Sequence, residues 1–331
     1  MSHVTVERVA LIGGGVIGAG WGARFLLNGI DVRVYDPDPE TKRKFDAVYE
    51  NAERACTELT RGGLPEPGRL QISDTLEHAC AGAEFVQESL PERMALKQSV
   101  LAQVSEITPH DAIIASSTSG LLPTQLQQNC KHPERIVVGH PFNPVYLMPL
   151  VEVCGGQQTS PETISTAMNL YRHLGMHPLH VRKEVDAFIA DRLMEALWRE
   201  ALHMINEDVA TAEEIDTALS YGPGLRWAFM GSFLTYRLAG GEAGMRHFLE
   251  HFAPALELPW TKLQAPAWND ELLDKLCAQS DDQAGDLPLR DLETLRDNCL
   301  VAIIQGLSQH NYAAGKTLTE YKNHLNHPDA T

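Results

Sequence analysis

Along its first two-thirds the chain alternates short apolar runs with longer amphipathic stretches. The runs at Arg8–Ile12, Asp31–Tyr35, Glu84–Gln87, Ala112–Ala115, Ile136–Val138 and Leu150–Val153 read as strands, several of them too β-branched and apolar to face water on either side. Trp21–Asn28 and Met94–Ile107, between them, read as helices. This alternation predicts a parallel sheet wrapped in helices. Thr159-Ser160-Pro161-Glu162 reads as a helix start, with a hydroxyl at the N-cap and proline in the first turn, and a last short apolar run follows at Pro178–Val181. Beyond Lys183 the strand signals stop. Segments 187–220 and 289–321 read as long helices and 268–277 as a shorter one. The expected fold is therefore α/β: a Rossmann-type doubly wound sheet over residues 1–184, followed by an all-helical domain over 185–331.

Composition narrows the function classes. Hydrophobic residues make up 44% of the 331 and charged residues 21%, as in a globular protein of about two domains. With 27 Lys+Arg against 44 Asp+Glu, the formal charge of −17 argues against a nucleic-acid partner. No apolar run reaches the roughly 18 to 20 residues that a spanning helix needs, and the N-terminus has no long apolar block before a cleavage site. Six cysteines, at 56, 80, 130, 154, 277 and 299, show no CxxC spacing, which fits a reduced compartment better than a disulfide frame or zinc site. A cytoplasmic protein without a membrane partner is expected.

Gly13-Gly14-Gly15-Val16-Ile17-Gly18 satisfies GxGxxG, follows the strand VALI and opens a helical stretch. In that context the glycines permit a tight turn and close approach of the backbone to a pyrophosphate, and the helix start offers free N–H groups to phosphate. Asp36 closes the second strand, where a carboxylate accepts hydrogen bonds from ribose hydroxyls and repels a 2′-phosphate, so NAD is favoured over NADP. Trp21, just inside the helix, reads as packing. A hydride acceptor needs a partner that takes the hydroxyl proton, and histidine, with an ordinary pKa of about 6.5, suits this. Of fourteen histidines, His140 stands out, in the loop His140-Pro141-Phe142-Asn143-Pro144 that leaves the strand Ile136–Val138. Active sites of open α/β sheets lie at such carboxyl ends. Glu152 lies in the apolar strand LVEVC, where an unpartnered carboxylate is costly. Pairing it with His140 removes that cost and fixes the imidazole tautomer. His173-xxx-His177 and His247-xxx-His251 have helical spacing but no Glu placed as in HExxH, so no metal is expected.

Gly13 to Gly18, Asp36, Ala115-Ser116-Ser117-Thr118-Ser119, Gly139 to Pro144, Leu150 to Val153 and Phe188-Ile189-Ala190-Asp191-Arg192-Leu193 resemble, in order and spacing, the L-3-hydroxyacyl-CoA dehydrogenase superfamily. The resemblance implies an NAD-dependent dehydrogenase that works as a homodimer. It makes His140 the base and Glu152 its orienting carboxylate. Ser119 and Asn143 are similar to residues that hydrogen-bond the reacting oxygen, and Glu92 and Lys97 to positions lining the nicotinamide ribose. Asp191 departs from the pattern, which has Asn there. An ionised carboxylate only accepts hydrogen bonds. Its two readings are a changed role near the substrate and stabilisation of a helix N-terminus.

Eight aromatics, Tyr221, Trp227, Phe229, Phe233, Tyr236, Phe248, Phe252 and Trp260, fall in forty residues, against 22 in the whole chain. Such a cluster forms core, a dimer interface or a cage for a quaternary ammonium. Arg226 offers a bidentate fork for a small carboxylate or forms a surface ion pair. Tyr221–Gly240 resembles the short-acid branches of the superfamily. On that ground, with Tyr221, Arg226, Trp227, Phe229 and Asp191 as candidate substrate-binding residues, the expected substrate is L-carnitine, whose C3 hydroxyl is flanked by a trimethylammonium and a carboxylate. L-gulonate and short-chain L-3-hydroxyacyl-CoA are the alternatives.

Overall fold

A computed structural model of the chain describes residues 6–252, 258–262, 269–272, 274–275 and 288–326. By internal contacts it divides into two units, Met1–Asp191 with Thr294–Thr331, and Arg192–Glu293.

The first unit is built on an eight-stranded sheet: β1 (Arg8–Ile12), β2 (Asp31–Tyr35), β3 (Leu70–Ser73), β4 (Phe85–Glu88), β5 (Ile113–Ser116), β6 (Ile136–Pro141), β7 (Leu150–Gly155) and β8 (His177–Val181). The spatial order is β3-β2-β1-β4-β5-β6-β7-β8. Neighbours are parallel except β6 and β7, which run antiparallel. The first six strands thus follow the order of a dinucleotide-binding sheet, with the strand order reversing beside β1, where ligands enter such folds. Strands β4, β5 and β6 are buried at every position, as continuous apolar runs inside a parallel sheet must be. Helices α1 (Val16–Leu27), α2 (Thr41–Thr60), α3 (Leu76–Cys80), α4 (Met94–Ile107), α5 (Pro123–Leu126) and α6 (Pro161–His173) wrap the sheet. Two core clusters result, one around Trp21, Phe25, Phe85 and Tyr171, the other around Ile12, Leu101, Ile114 and Val138.

Helix α7 (Ala190–Asn206) crosses the division between units. In the second unit follow α8 (Ala212–Tyr221), α9 (Pro223–Trp227), α10 (Ser232–Ala239) and α11 (Gly244–Phe252), and no strand occurs among its described residues. Helices α12 (Leu289–Ser308) and α13 (Ala314–Asn326) bring the chain back to the sheet unit, where Val301, Ile304 and Leu318 pack with Ala23, Leu27, Ala52, Ala55 and Leu147.

Several local expectations change. The stretch 187–220 is two helices, because Asp208 takes a left-handed backbone (φ 55) and Thr211 with Glu214 forms a capping box that starts α8. The stretch 289–321 breaks likewise at Asn311 and Ala313, both left-handed. His140 and Pro141 belong to β6 rather than to the loop after it, because the antiparallel pairing with β7 carries the strand three residues further, from Val138 to Pro141. Of the short helix expected over 268–277, residues 270–272 and 274–275 are helical, Asn269 is described but not helical, and the remainder, like much of the acidic stretch that follows, lies outside the described residues. Strand β3 was too short and too polar a run, Leu-Gln-Ile-Ser, to signal itself.

Candidate active site

The glycine-rich turn joins β1 to α1. Gly13 has φ +101, and a Cβ there would sit 2.6 Å from the Ser89 carbonyl oxygen. A Cβ at Gly18 would sit 1.9 Å from the carbonyl oxygen of Gly13. Both positions admit only glycine: one for its backbone conformation, the other so that helix can rest on turn. A Cβ at Gly15, by contrast, would meet nothing within 4 Å. Gly15 caps α1 without a side-chain hydrogen bond, and Val16 is 63% exposed, so the helix start faces open space with its N–H groups uncovered by side chains. Asp36 sits at the end of β2; its Oδ2 accepts from Gly14 N (2.6 Å) and its Oδ1 from Asp38 N (2.8 Å). The carboxylate that would take the ribose hydroxyls is thereby tied to the turn that would take the pyrophosphate. These residues fit a dinucleotide: an open cradle at a helix N-terminus, with a fixed acid one strand away.

His140 and Glu152 are direct partners across the antiparallel pair of β6 and β7, so their side chains leave the same face of the sheet. His140 Nδ1 lies 3.0 Å from Glu152 Oε2, and both side chains are buried, at 4% and 0% exposure. Glu152 Oε1 accepts from Ile189 N and Ala190 N, each at 3.0 Å, at the start of α7. One carboxylate therefore steadies the imidazole and closes the end of a helix, where negative charge is favoured. The chain reaches that point through Ala187 (φ 60) and Phe188 (φ 48), two non-glycine residues in the left-handed region. Such conformations cost about 1–3 kcal/mol each and persist only where the surroundings impose them. Phe188 packs against the His140 ring at 5.7 Å between centroids, with Phe142 at 4.8 Å. Asp191, in the first turn of α7, brings Oδ2 to 3.6 Å from His140 Nε2. The imidazole thus has a carboxylate near each nitrogen.

The other expected site residues take varied positions. Ser119 is exposed, and its N–H donates to Glu92 Oε1 (3.1 Å), which also accepts from the Thr118 hydroxyl. Asn143 is exposed just past β6. Lys97 points inward at 1% exposure, with Nζ 2.7 Å from Glu88 Oε1 and 3.4 Å from Glu92 Oε2. Tyr221, Arg226, Trp227 and Phe229 belong to the second unit; Tyr221 is 81% exposed, Arg226 and Trp227 are exposed and Phe229 half-buried. In the same unit Tyr236, Phe248 and Phe252 stack in series, with centroids 4.6 and 4.7 Å apart. His173 and His177 do not share a helix face: the first ends α6, the second begins β8, and His173 meets His324 instead at 4.5 Å between ring centroids. His247 and His251 do share α11.

Sequence reasoning missed the polar groups that hold the site from beneath. Buried Glu88 takes Lys97, Leu90 N (2.6 Å) and the Ser116 hydroxyl (2.5 Å), and so joins the carboxyl ends of β4 and β5 to α4. Gln87 donates to Ser117 Oγ (2.8 Å) and Gly139 O (3.4 Å) and accepts from the Tyr171 hydroxyl (2.9 Å); Trp21 donates its indole N–H to the same Ser117 (3.1 Å). Burial pushes the Tyr171 phenol far up, so it remains a donor. A Cβ at Gly139 would strike that hydroxyl at 2.0 Å, which explains a glycine immediately before His140. Arg24, buried in α1, donates to the carbonyls of Val145 (2.8 Å) and Met148 (3.3 Å), between β6 and β7, and of Leu174 (2.8 Å), just after α6, and so ties those two segments together. The one available signal was Gln87-Glu88 itself, two polar residues closing an otherwise apolar strand. Burial pushes the thiols of Cys56 up to about 11 and of Cys80 and Cys154 up to about 12, so these cysteines are inert core residues. No described helix is long and apolar enough to cross a membrane.

Comparison with known proteins bears on the fold and the cofactor. The NAD-binding domain of 3-hydroxyacyl-CoA dehydrogenase matches residues 8–185, and the C-terminal domain of the same family matches 188–285. An L-carnitine dehydrogenase of Mesorhizobium japonicum is 55% identical over 94% of this chain and 86% of its own length. One of Pseudomonas putida is 50% identical over 95% and 98%. Among solved structures, 5-formyl-3-hydroxy-2-methylpyridine 4-carboxylic acid 5-dehydrogenase, an NAD+-dependent dismutase, superposes with a TM-score of 0.79 at 29% identity, covering 92% of this chain and 99% of the other. Escherichia coli 3-hydroxybutyryl-CoA dehydrogenase does so with a TM-score of 0.55 at 27% identity, over 77% of this chain and 54% of the other. With a nucleotide cradle at the head of α1 and matches that run from residue 8 to residue 285, the chain belongs to the 3-hydroxyacyl-CoA dehydrogenase family of NAD-dependent oxidoreductases.

Proposed function

We propose that the protein oxidises the C3 hydroxyl of L-carnitine to 3-dehydrocarnitine, with His140 as the proton acceptor. The observation that carries the substrate is the 55% identity to a relative named for that activity, over 94% of the chain. The buried pair carries the chemistry. NAD, when bound, accepts the hydride from C3. Neutral His140 takes the hydroxyl proton at Nε2, because Nδ1 is engaged by Glu152 at 3.0 Å. Glu152, held in turn by two backbone N–H groups, fixes the tautomer and offsets the charge of the imidazolium that forms. Ser119 and Asn143, exposed at the ends of neighbouring strands, are the proposed donors to the reacting oxygen, and Glu92 and Lys97 the proposed lining of the nicotinamide ribose.

Asp191 supports a cationic substrate over an anionic one. A carboxylate 3.6 Å from His140 Nε2 attracts a trimethylammonium entering beside the reacting carbon and repels a lone acid group there. Arg226 is the proposed carboxylate partner, and Tyr221, Trp227 and Phe229 the proposed apolar walls. In domain terms, residues 1–184 bind NAD, and 185–331 bind substrate and pair with a second copy. The homodimer is supported by the exposed aromatics of the second unit: Phe233 at 84%, Tyr221 at 81% and Trp260 at 71%.

Assay of L-carnitine, L-gulonate, 3-hydroxybutyrate and 3-hydroxybutyryl-CoA with NAD tests the reading. L-Carnitine is expected to exceed each of the others in kcat/KM by at least about tenfold, equivalent to about 1.4 kcal/mol in the transition state. Faster oxidation of the acyl-CoA or of L-gulonate would refute the substrate while leaving the family standing.

A further inference from the structure

At the amino ends of β5 and β6, opposite the carboxyl ends where His140 lies, two histidines and a glutamate converge. We propose that His110, His132 and Glu134 bind a divalent transition ion of the zinc class, with water completing the coordination. Their ligand atoms all lie within 4.8 Å of one another, the only such group of three among the described residues. His132 Nδ1 lies 3.3 Å from Glu134 Oε1. Metal–ligand bonds of about 2.0–2.1 Å at tetrahedral angles put neighbouring donor atoms about 3.3 Å apart, so this edge of the site is already at its bound length. His110 stands beside, its ring 4.7 Å from that of His132 between centroids and at 70° to it, and a side-chain rotation of an exposed residue closes the remaining edges.

The backbone beneath is fixed before any ion arrives. Buried Arg135 donates to the carbonyls of Ser105, Pro109 and Ala112, clasping the segment that carries His110 to the one that carries His132 and Glu134. Lys131 N donates to Ser105 Oγ at 2.9 Å, and the Glu134 carbonyl accepts from Ser160 N (2.8 Å) and the Thr163 hydroxyl (2.9 Å) at the start of α6. Two imidazoles and one carboxylate select zinc, cobalt or copper over magnesium or calcium, which take oxygen ligands in larger number. Ile136 to His140 along β6 spans about 13 Å at about 3.3 Å per residue, so an ion here does not touch the reacting atoms. Its effect is to tie together the entries of two central strands, and to raise stability by binding only the folded chain.

Titration of the full chelator-treated chain with Co²⁺ provides the test, because tetrahedral coordination gives visible absorption bands that Zn²⁺ then displaces. One equivalent is expected to bind with those bands. His110→Ala and His132→Ala are each expected to weaken binding by at least about tenfold, and His247→Ala with His251→Ala to leave it unchanged. Metal-free His110→Ala should turn over and melt as the parent does; should His132→Ala fail to fold, Glu134→Gln serves in its place. The site is refuted if the parent binds neither ion at millimolar concentration, or if His110→Ala leaves affinity and spectrum unaltered.

Discussion

His140→Ala is expected to lower kcat/KM for the oxidised alcohol by about 10³-fold while leaving the Kd for NADH within about twofold of the parent, since a positioned general base contributes about 10²–10⁴-fold. The split follows from the fold. The proposed cradle for the dinucleotide is the turn after β1 with Asp36, whereas the imidazole is held by Glu152 of β7 and packed between Phe142 and Phe188. Stopped-flow turnover and NADH fluorescence titration on one preparation read the two quantities separately. Loss of NADH binding in step with activity would move His140 out of proton transfer and into support of the cofactor.

Much of the sheet unit was legible because its signals are local. Arg8–Ile12 and Asp31–Tyr35 are strands end for end, as apolar runs bounded by turn residues. The glycine turn announces itself through residue types that no other backbone conformation demands. The pairing of His140 with Glu152 was also reachable, through the cost of leaving a carboxylate alone in the strand LVEVC. What stayed hidden depends on distance in space. Nothing in Arg24 itself tells that it reads three carbonyls more than a hundred residues away, nor in Tyr171 that its hydroxyl settles why residue 139 is glycine. The helix periodicity of 289–321 identified helices but not their company: Val301, Ile304 and Leu318 pack on the sheet unit, and an amphipathic face does not name its partner. Asp191 shows both limits together. Its place at a helix start could be read from the chain, while its approach to His140 required the fold.

Lys97→Met is expected to destabilise the sheet unit by about 3–5 kcal/mol, the usual cost of removing one member of a buried ion pair. Lys97 Nζ and Glu88 Oε1 are 2.7 Å apart at 1% and 0% exposure, and Glu92, the second acid near the ammonium, is 44% exposed and 3.4 Å away. Methionine matches the lysine stem in length and leaves packing nearly unchanged, so the loss falls on charge. Glu88 then keeps its hydrogen bonds from Leu90 N and Ser116 Oγ but loses its only buried counter-charge among the described residues. Against a typical total of about 5–15 kcal/mol, a deficit of this size lowers the melting temperature by about 10 °C. Glu88→Gln added to Lys97→Met should recover part of the loss, because the amide carries no charge to strand. Thermal melts of parent, single and double variants decide it: a single variant within about 2 °C of the parent, or a double variant no better than the single, would show the pair contributes little to folding. NADH titration on the same proteins resolves what Lys97 does besides. If the double variant regains stability but binds NADH many-fold more weakly than the parent, the ammonium serves the cofactor as well as the core; if binding returns with stability, its work is to hold β4 and α4 together.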